Sequence, residues 1–172
     1  MKKTVILIFV ISALATSGFA QKETKSFSAG FGFEAGVPTG NISNAFNSLF
    51  GLTVRFSYHA GPGFITFTTG GIALGPKKIE GQPTKVGLEI PVKFGYKYII
   101  QHHFFVMGEM GYASFKSYYG YQGSVLSTTS GSFVAAPAAG FQVNTFEASL
   151  RYEIISSNGG GGLLALRLGF NF

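Results

Sequence analysis

This chain has no cysteine and no aspartate, and only 12% of its 172 residues are charged. Without cysteine there is no disulfide framework, no thiolate metal site and no lipoprotein anchor. A solvated surface mixes all four charged types, and soluble domains approach about a quarter charged residues. The missing aspartate and the low charge therefore argue against one. A second long apolar run is also missing. After the N-terminal segment, the apolar residues are dispersed by alternation, which favours strands over membrane helices. The formal charge of +6 falls to +4 if Lys2 and Lys3 leave with a leader, and no basic run remains to suggest nucleic acid.

Met1-Lys2-Lys3 is followed by an apolar run from Thr4 to Ala15, then by Gly18 and Ala20 at the spacing of a leader cleavage site. About 12 apolar residues are too few for a membrane-spanning helix, which needs roughly 20. The expected division is a cleaved signal peptide over 1–20 and one mature domain over 21–172.

Beyond the leader the chain alternates. Leu164, Leu166, Leu168, Phe170 and Phe172 interleave with Ala165, Arg167, Gly169 and Asn171, the period of a strand with one apolar face. The same period recurs over Phe27 to Val37, Leu52 to His59, Phe64 to about Leu74, and Val86 to Tyr98. It returns over Phe104 to about Lys116, Ser132 to Val143, and Phe146 to Ile154. Longer connections (38–49, 76–85, 117–131, 156–162) alternate with short turns (60–63, 99–103, 144–145). This order predicts an all-β fold: an eight-stranded antiparallel up-and-down transmembrane β-barrel, both termini periplasmic. Its last strand would pair with its first and so remove both sheet edges. Gly70-Gly71 predicts a bulge or register change in the third strand. Pro91 and Pro137 predict a bulge or irregular pairing, because each lacks an N–H.

Alternation does not say which face is outside; a soluble lipocalin-like barrel would turn its apolar face inward. Here the polar face is mostly Gly, Ser and Ala with isolated charges, which suits a crowded interior. Tyr58, Tyr96, Tyr98, Tyr112 and Tyr152 lie toward strand ends on the apolar face, where an interfacial girdle forms. The apolar face is therefore expected to meet lipid. Glu34, Arg55, Glu89, Lys93, Glu109, Glu147, Arg151, Glu153 and Arg167 then point into a lumen just wide enough for side chains to fill. Such a cluster of both signs is tolerable when paired. The other role for it is an ion or proton path, which a filled lumen would deny a continuous water column.

Several runs, in this order, resemble a known group: Pro38-Thr39-Gly40-Asn41; Ile90-Pro91-Val92-Lys93-Phe94-Gly95-Tyr96-Lys97-Tyr98; and Gly108-Glu109-Met110-Gly111. Ala148 to Glu153 come next, with Ser157 to Gly160, and then Leu166 to Phe172. The chain resembles the small outer-membrane β-barrel domain family, the porin-like and OmpA-like eight-stranded outer-membrane proteins of Gram-negative bacteria. The resemblance implies contact with outer-membrane lipid and lipopolysaccharide, and insertion by the barrel-assembly machinery. That machinery reads the last strand, and Phe170 and Phe172 match its aromatic pair, although Arg167 stands where the family carries glycine. The family is defined by its fold, and most members have no known activity.

Catalysis finds little support. Lipid A deacylases of this shape place a histidine two residues before a serine that Asn follows, but Ser157-Asn158 has Ile155 there. His59, His102 and His103 fall at the opposite end, so no base reaches that serine. Adjacent His102 and His103 point to opposite faces and do not make a metal site. Gly159 to Gly162 precedes a strand, whereas phosphate loops open a helix. No catalytic residue, metal or cofactor is expected. The expected contact surface for an external partner, of unknown identity, is the 117–131 segment with Tyr118, Tyr119 and Tyr121, since tyrosine offers large area with few torsions to freeze. The expected role is non-catalytic: envelope structure, or surface contact through extracellular loops. A lipid A-modifying hydrolase, a narrow channel and a soluble lipocalin-like binder are the alternatives.

Overall fold

The computed structural model describes residues 26–77, 85–101, 103–121, 124–156 and 160–172. The expected leader, His102, Ser157 and Asn158 lie outside the described residues. Strands follow one another as β1 (Phe27–Gly40), β2 (Phe46–Ala60), β3 (Gly63–Pro76), β4 (Lys85–Ile100), β5 (Phe104–Tyr121), β6 (Ser124–Val143), β7 (Phe146–Ser156) and β8 (Gly161–Asn171). Each pairs antiparallel with the next and β1 pairs with β8, so the sheet is a closed eight-stranded barrel. The seam runs from Gly30↔Asn171 to Gly40↔Gly161. It ends with the Phe172 N–H donating to the Ala29 carbonyl at 2.7 Å, and the Ala29 N–H donating to the Phe172 carbonyl at 3.2 Å.

The period-two pattern sorts the faces, and the apolar one is outside. Met110 and Phe133 are each 72% exposed, whereas Arg55 and Arg151 are 1% exposed. This removes the lipocalin-like arrangement, which needs the reverse. Phenyl rings pack against one another around the end that carries the termini: Phe94 tilted on Phe67, and Phe67 on Phe56 and Phe56 on Phe27 stacked. Across the seam Phe31 meets Phe170 and Phe172, and Phe170 meets Phe146, which meets Phe141. Tyr58, Tyr96 and Tyr98 are exposed at this same end, and Tyr112 and Tyr152 toward the other. Aromatic rings thus mark both rims of the apolar band, as lipid interfaces favour.

The prolines interrupt pairing without shifting it. The β3–β4 register is the same on both sides of Gly70 and Gly71, and only the positions facing Pro91 and Ile90 lose their pairs. The β6–β7 ladder likewise loses its pairs at Ala136 and Pro137 and resumes in register. On their other sides, Pro91 pairs with Ala113 and Pro137 with Gly108 without a break. A missing N–H costs the bond on one edge of the strand and leaves the other edge intact. So the pairing is irregular at both prolines but neither makes a bulge, and neither the bulge nor the register change expected at Gly70-Gly71 is present. The register shift lies instead between Phe46 and Ser48 of β2.

The larger correction concerns the connections. The described residues of the 117–131 segment are strand, not loop: β5 continues to Tyr121, β6 begins at Ser124, and Tyr121 pairs with Ser124. Tyr118, Tyr119 and Tyr121 are strand residues, and Tyr118 is exposed. Tyr and Thr favour strands, yet beyond the apolar band neither face need be apolar, so the alternation that marks a strand fades. Between β1 and β2 the expected loop shrinks to one 3-10 turn, Asn41–Asn44. Gly40 enters it at φ 62°, a backbone that favours glycine, and the Ser43 hydroxyl donates to the Gly40 carbonyl at 2.7 Å.

Candidate functional site

The lumen is built from one residue in two along every strand. The nine charged residues expected there are all buried, and Lys97 joins them. Glu34, Glu89, Glu109, Glu147 and Glu153 thus share the interior with Arg55, Lys93, Lys97, Arg151 and Arg167, five acids with five bases. Lys97 lies on the face of β4 that also carries Glu89 and Lys93; its place near the strand end hid its membership.

Glu147 of β7 is one hub. It accepts from Arg55 Nη1 at 2.5 Å, Lys97 Nζ at 2.8 Å and Arg167 Nη1 at 2.9 Å. Arg151, further along the same face, is the other. Its guanidinium donates to Glu34 at 2.6 Å and to Glu153, which also takes Lys93 Nζ at 2.5 Å. Threonines complete the set, since a hydroxyl can donate to one ion and accept from another. Thr53 donates to Glu34 at 3.0 Å and accepts from Arg167 Nε at 3.2 Å. Thr68 donates to Glu109 at 2.5 Å and accepts from Arg55 Nε at 3.0 Å. Sequence alone did not single out these threonines because their partners sit on other strands.

Two glycines seat Arg167. Gly32 and Gly169 are cross-strand partners at the seam, and a Cβ on Gly32 would lie 2.5 Å from the Arg167 guanidinium carbon. Glu89 is the exception to the pairing. It is fully buried, and neither carboxylate oxygen has a hydrogen-bond partner among the described residues.

Apolar side chains close both sides of this charged band. Toward the termini, Phe105, Met107 and Ala138 pack with Ile99, and Lys97 Nζ lies 4.8 Å from the Phe105 ring centre. Toward the other end, Phe46, Leu49, Ile72, Leu74, Val134, Ile155 and Leu163 form a larger cluster, with Ile42 of the 3-10 turn packed on it. A cavity of about 170 Å³ adjoins that cluster, lined among others by Phe46, Leu74, Phe115, Lys116, Ser130 and Ile155, with Ser132 beside them. Chemically, the interior is a filled plug whose charges, Glu89 aside, are paired. No group of three or more metal-ligating side chains occurs among the described residues.

Elsewhere, Phe170 and Phe172 project from the outer face at the seam, 44% and 45% exposed. His59 and His103 sit at the end with the termini, where His59 packs edge-on against Phe64 at 5.2 Å.

Neither a protein-family model nor a curated protein matches the sequence. Solved structures do match the fold. The attachment invasion locus protein Ail of Yersinia pestis, whose structure was determined with the heparin analogue sucrose octasulfate, superposes with a TM-score of 0.61 at 15% identity. The match covers 86% of this chain and 97% of that one. Neisserial surface protein A gives 0.58 at 14% identity, over 86% and 98%. The N-terminal β-barrel domain of Pseudomonas aeruginosa OprF gives 0.57 at 12% identity, over 84% and 97%. The chain has the fold of the small eight-stranded outer-membrane barrels, and the apolar face of its strands lies on the outer surface.

Proposed function

We propose that the protein is a non-catalytic integral outer-membrane barrel that serves envelope structure or surface contact. In this reading residues 1–20 are a cleaved leader, both termini are periplasmic, and the opposite rim faces outward. Its immediate surroundings are outer-membrane lipid and lipopolysaccharide, reached through the barrel-assembly machinery. One observation carries the structural, non-conducting role: five buried acids and five buried bases, all but Glu89 paired, fill the lumen between two apolar clusters. Such an interior supports the wall and leaves the outward rim as the surface available for contact.

The test combines three measurements on the full chain. Outer-membrane fractions should contain the protein as a band whose gel mobility changes on boiling. Planar bilayers containing the folded barrel should show no stable conductance. Overexpression should leave lipid A mass unchanged. Steady channels, or a changed lipid A mass that depends on Ser157, would overturn the reading.

A further inference from the structure

β6 outruns its neighbour. Its pairing with β7 ends at Phe133↔Ser156, yet its pairing with β5 continues to Ser124↔Tyr121. From Ser124 to Ser132 one edge of β6 therefore has no strand beside it among the described residues. Pro137 fixes which groups line that edge. Pairs are lost at Ala136 and Pro137 on the β7 side and none on the β5 side, so the absent proline N–H faces β7. Backbone groups alternate sides along a strand. Ser127, Thr129 and Gly131 thus turn their N–H groups to the free side, while Thr128 and Ser130 turn theirs to β5. The Gln142 N–H, also even-numbered, donates to the His103 carbonyl on that β5 side at 2.7 Å.

Natural edges are blocked by charge, proline or bulges. Ser124 to Ser132 reads Ser-Val-Leu-Ser-Thr-Thr-Ser-Gly-Ser, with none of these, and Ser127 to Gly131 are exposed. The mouth cavity lies alongside, lined by Ser130 and Ser132 of β6 and by Ile155 of β7. A strand laid on this edge would direct alternate side chains over a hollow whose Phe46, Leu74, Phe115 and Ile155 outweigh Lys116 and its serines, the combination in which backbone bonds give affinity and a pocket gives selectivity.

We propose that the free edge of β6 accepts an extended, uncharged peptide segment of an external protein by strand addition, with one apolar side chain of that segment in the mouth cavity. The proposal rests on the outward orientation and surface-contact role given above. An alternating ladder of N–H and C=O groups is matched by another backbone rather than by a lipid or a sugar. A second copy in the same membrane fits less well, because a two-fold axis along the barrel would set the two β6 strands parallel, the slightly weaker pairing.

The probe is a fluorescent, end-blocked peptide, Thr-Val-Thr-Phe-Thr-Val-Thr, added to the full chain in phospholipid nanodiscs. Without peptide, the amides of Ser127, Thr129 and Gly131 should exchange fast and those of Thr128 and Ser130 slowly; peptide should slow the first set. Thr129→Pro removes a free-side N–H and spares the β5 ladder, as Pro137 already does, and should weaken peptide binding about tenfold or more. Thr129→Lys should do the same by charging the edge. Slow exchange at the odd-numbered amides before peptide is added, or unchanged affinity in both variants, would overturn the proposal. So would self-association that Thr129→Pro abolishes, which would give the edge to a second copy. Since the chain has no cysteine, Ser127→Cys reports orientation through a membrane-impermeant maleimide on intact cells. Labelling without peptide binding sinks the strand-addition proposal alone, whereas no labelling sinks the orientation beneath it.

Discussion

Arg151 and Glu89 are both buried in the lumen and should respond in opposite ways to replacement. Arg151→Met strips Glu34 and Glu153 of a shared guanidinium, leaving buried carboxylates short of a partner. Breaking a buried pair from one side costs about 3–5 kcal/mol, so the urea midpoint of the barrel refolded in phospholipid vesicles should fall sharply. Glu89→Gln removes a carboxylate that no donor satisfies. Its neighbour Glu153 has one oxygen without a partner, which the new amide can reach as a donor. Stability should hold or rise, and a loss above about 1 kcal/mol would mean Glu89 has a partner of its own. Gly32→Ala tests the seam, since its Cβ would meet the Arg167 guanidinium. That guanidinium is held by Glu147 and Thr53 and cannot simply swing away, so about 1–3 kcal/mol should be lost to overpacking.

At the scale of the strand, the two seam hydrogen bonds of Phe172 and the stacking of its ring on Phe31 at 5.8 Å predict what its deletion does. Loss of the Phe172 residue should reduce insertion into the outer membrane, read as a smaller heat-modifiable band, while Ser157→Ala leaves insertion unchanged. Normal insertion without Phe172 would count against a role for this strand end in assembly. Strands also show what sequence could and could not convey. Which side chains turn inward was legible, because a period of two survives any choice of register, and so all nine expected lumen charges lie inside. Their partners were not legible, since Arg55 and Glu147 are 92 residues apart and meet only across the closed lumen. The prolines misled because sequence shows a lost N–H but not which edge loses it. The reach of β5 and β6 was hidden for a different reason: Ser127 to Ser132 need bury neither face, so no hydrophobic contrast marked them as strand.

The whole molecule inverts the soluble arrangement, with ions inside and an apolar coat outside, and that inversion holds only if lipid covers the coat. Leu150 stands midway along the outward face of β7, between Phe146 and Ile154, and is 55% exposed. If the coat faces water, Leu150→Arg is a surface change, which typically moves stability by no more than about 0.5 kcal/mol. If it faces hydrocarbon, an arginine near the midplane costs about 2–4 kcal/mol, and the same residue near an interface about 0–1 kcal/mol. Val143, at the end of β6 beside the Asn144-Thr145 turn, is outward and 44% exposed, and supplies the interfacial control. Unfolding in phospholipid vesicles should therefore show a large loss for Leu150→Arg and a small one for Val143→Arg. Equal, small losses at both positions would mean that no hydrocarbon layer surrounds the barrel. Equal, large losses would point to packing at each site rather than to depth. A graded loss is the response expected of a bilayer, because only a layered solvent distinguishes two exposed positions on one apolar surface by their height.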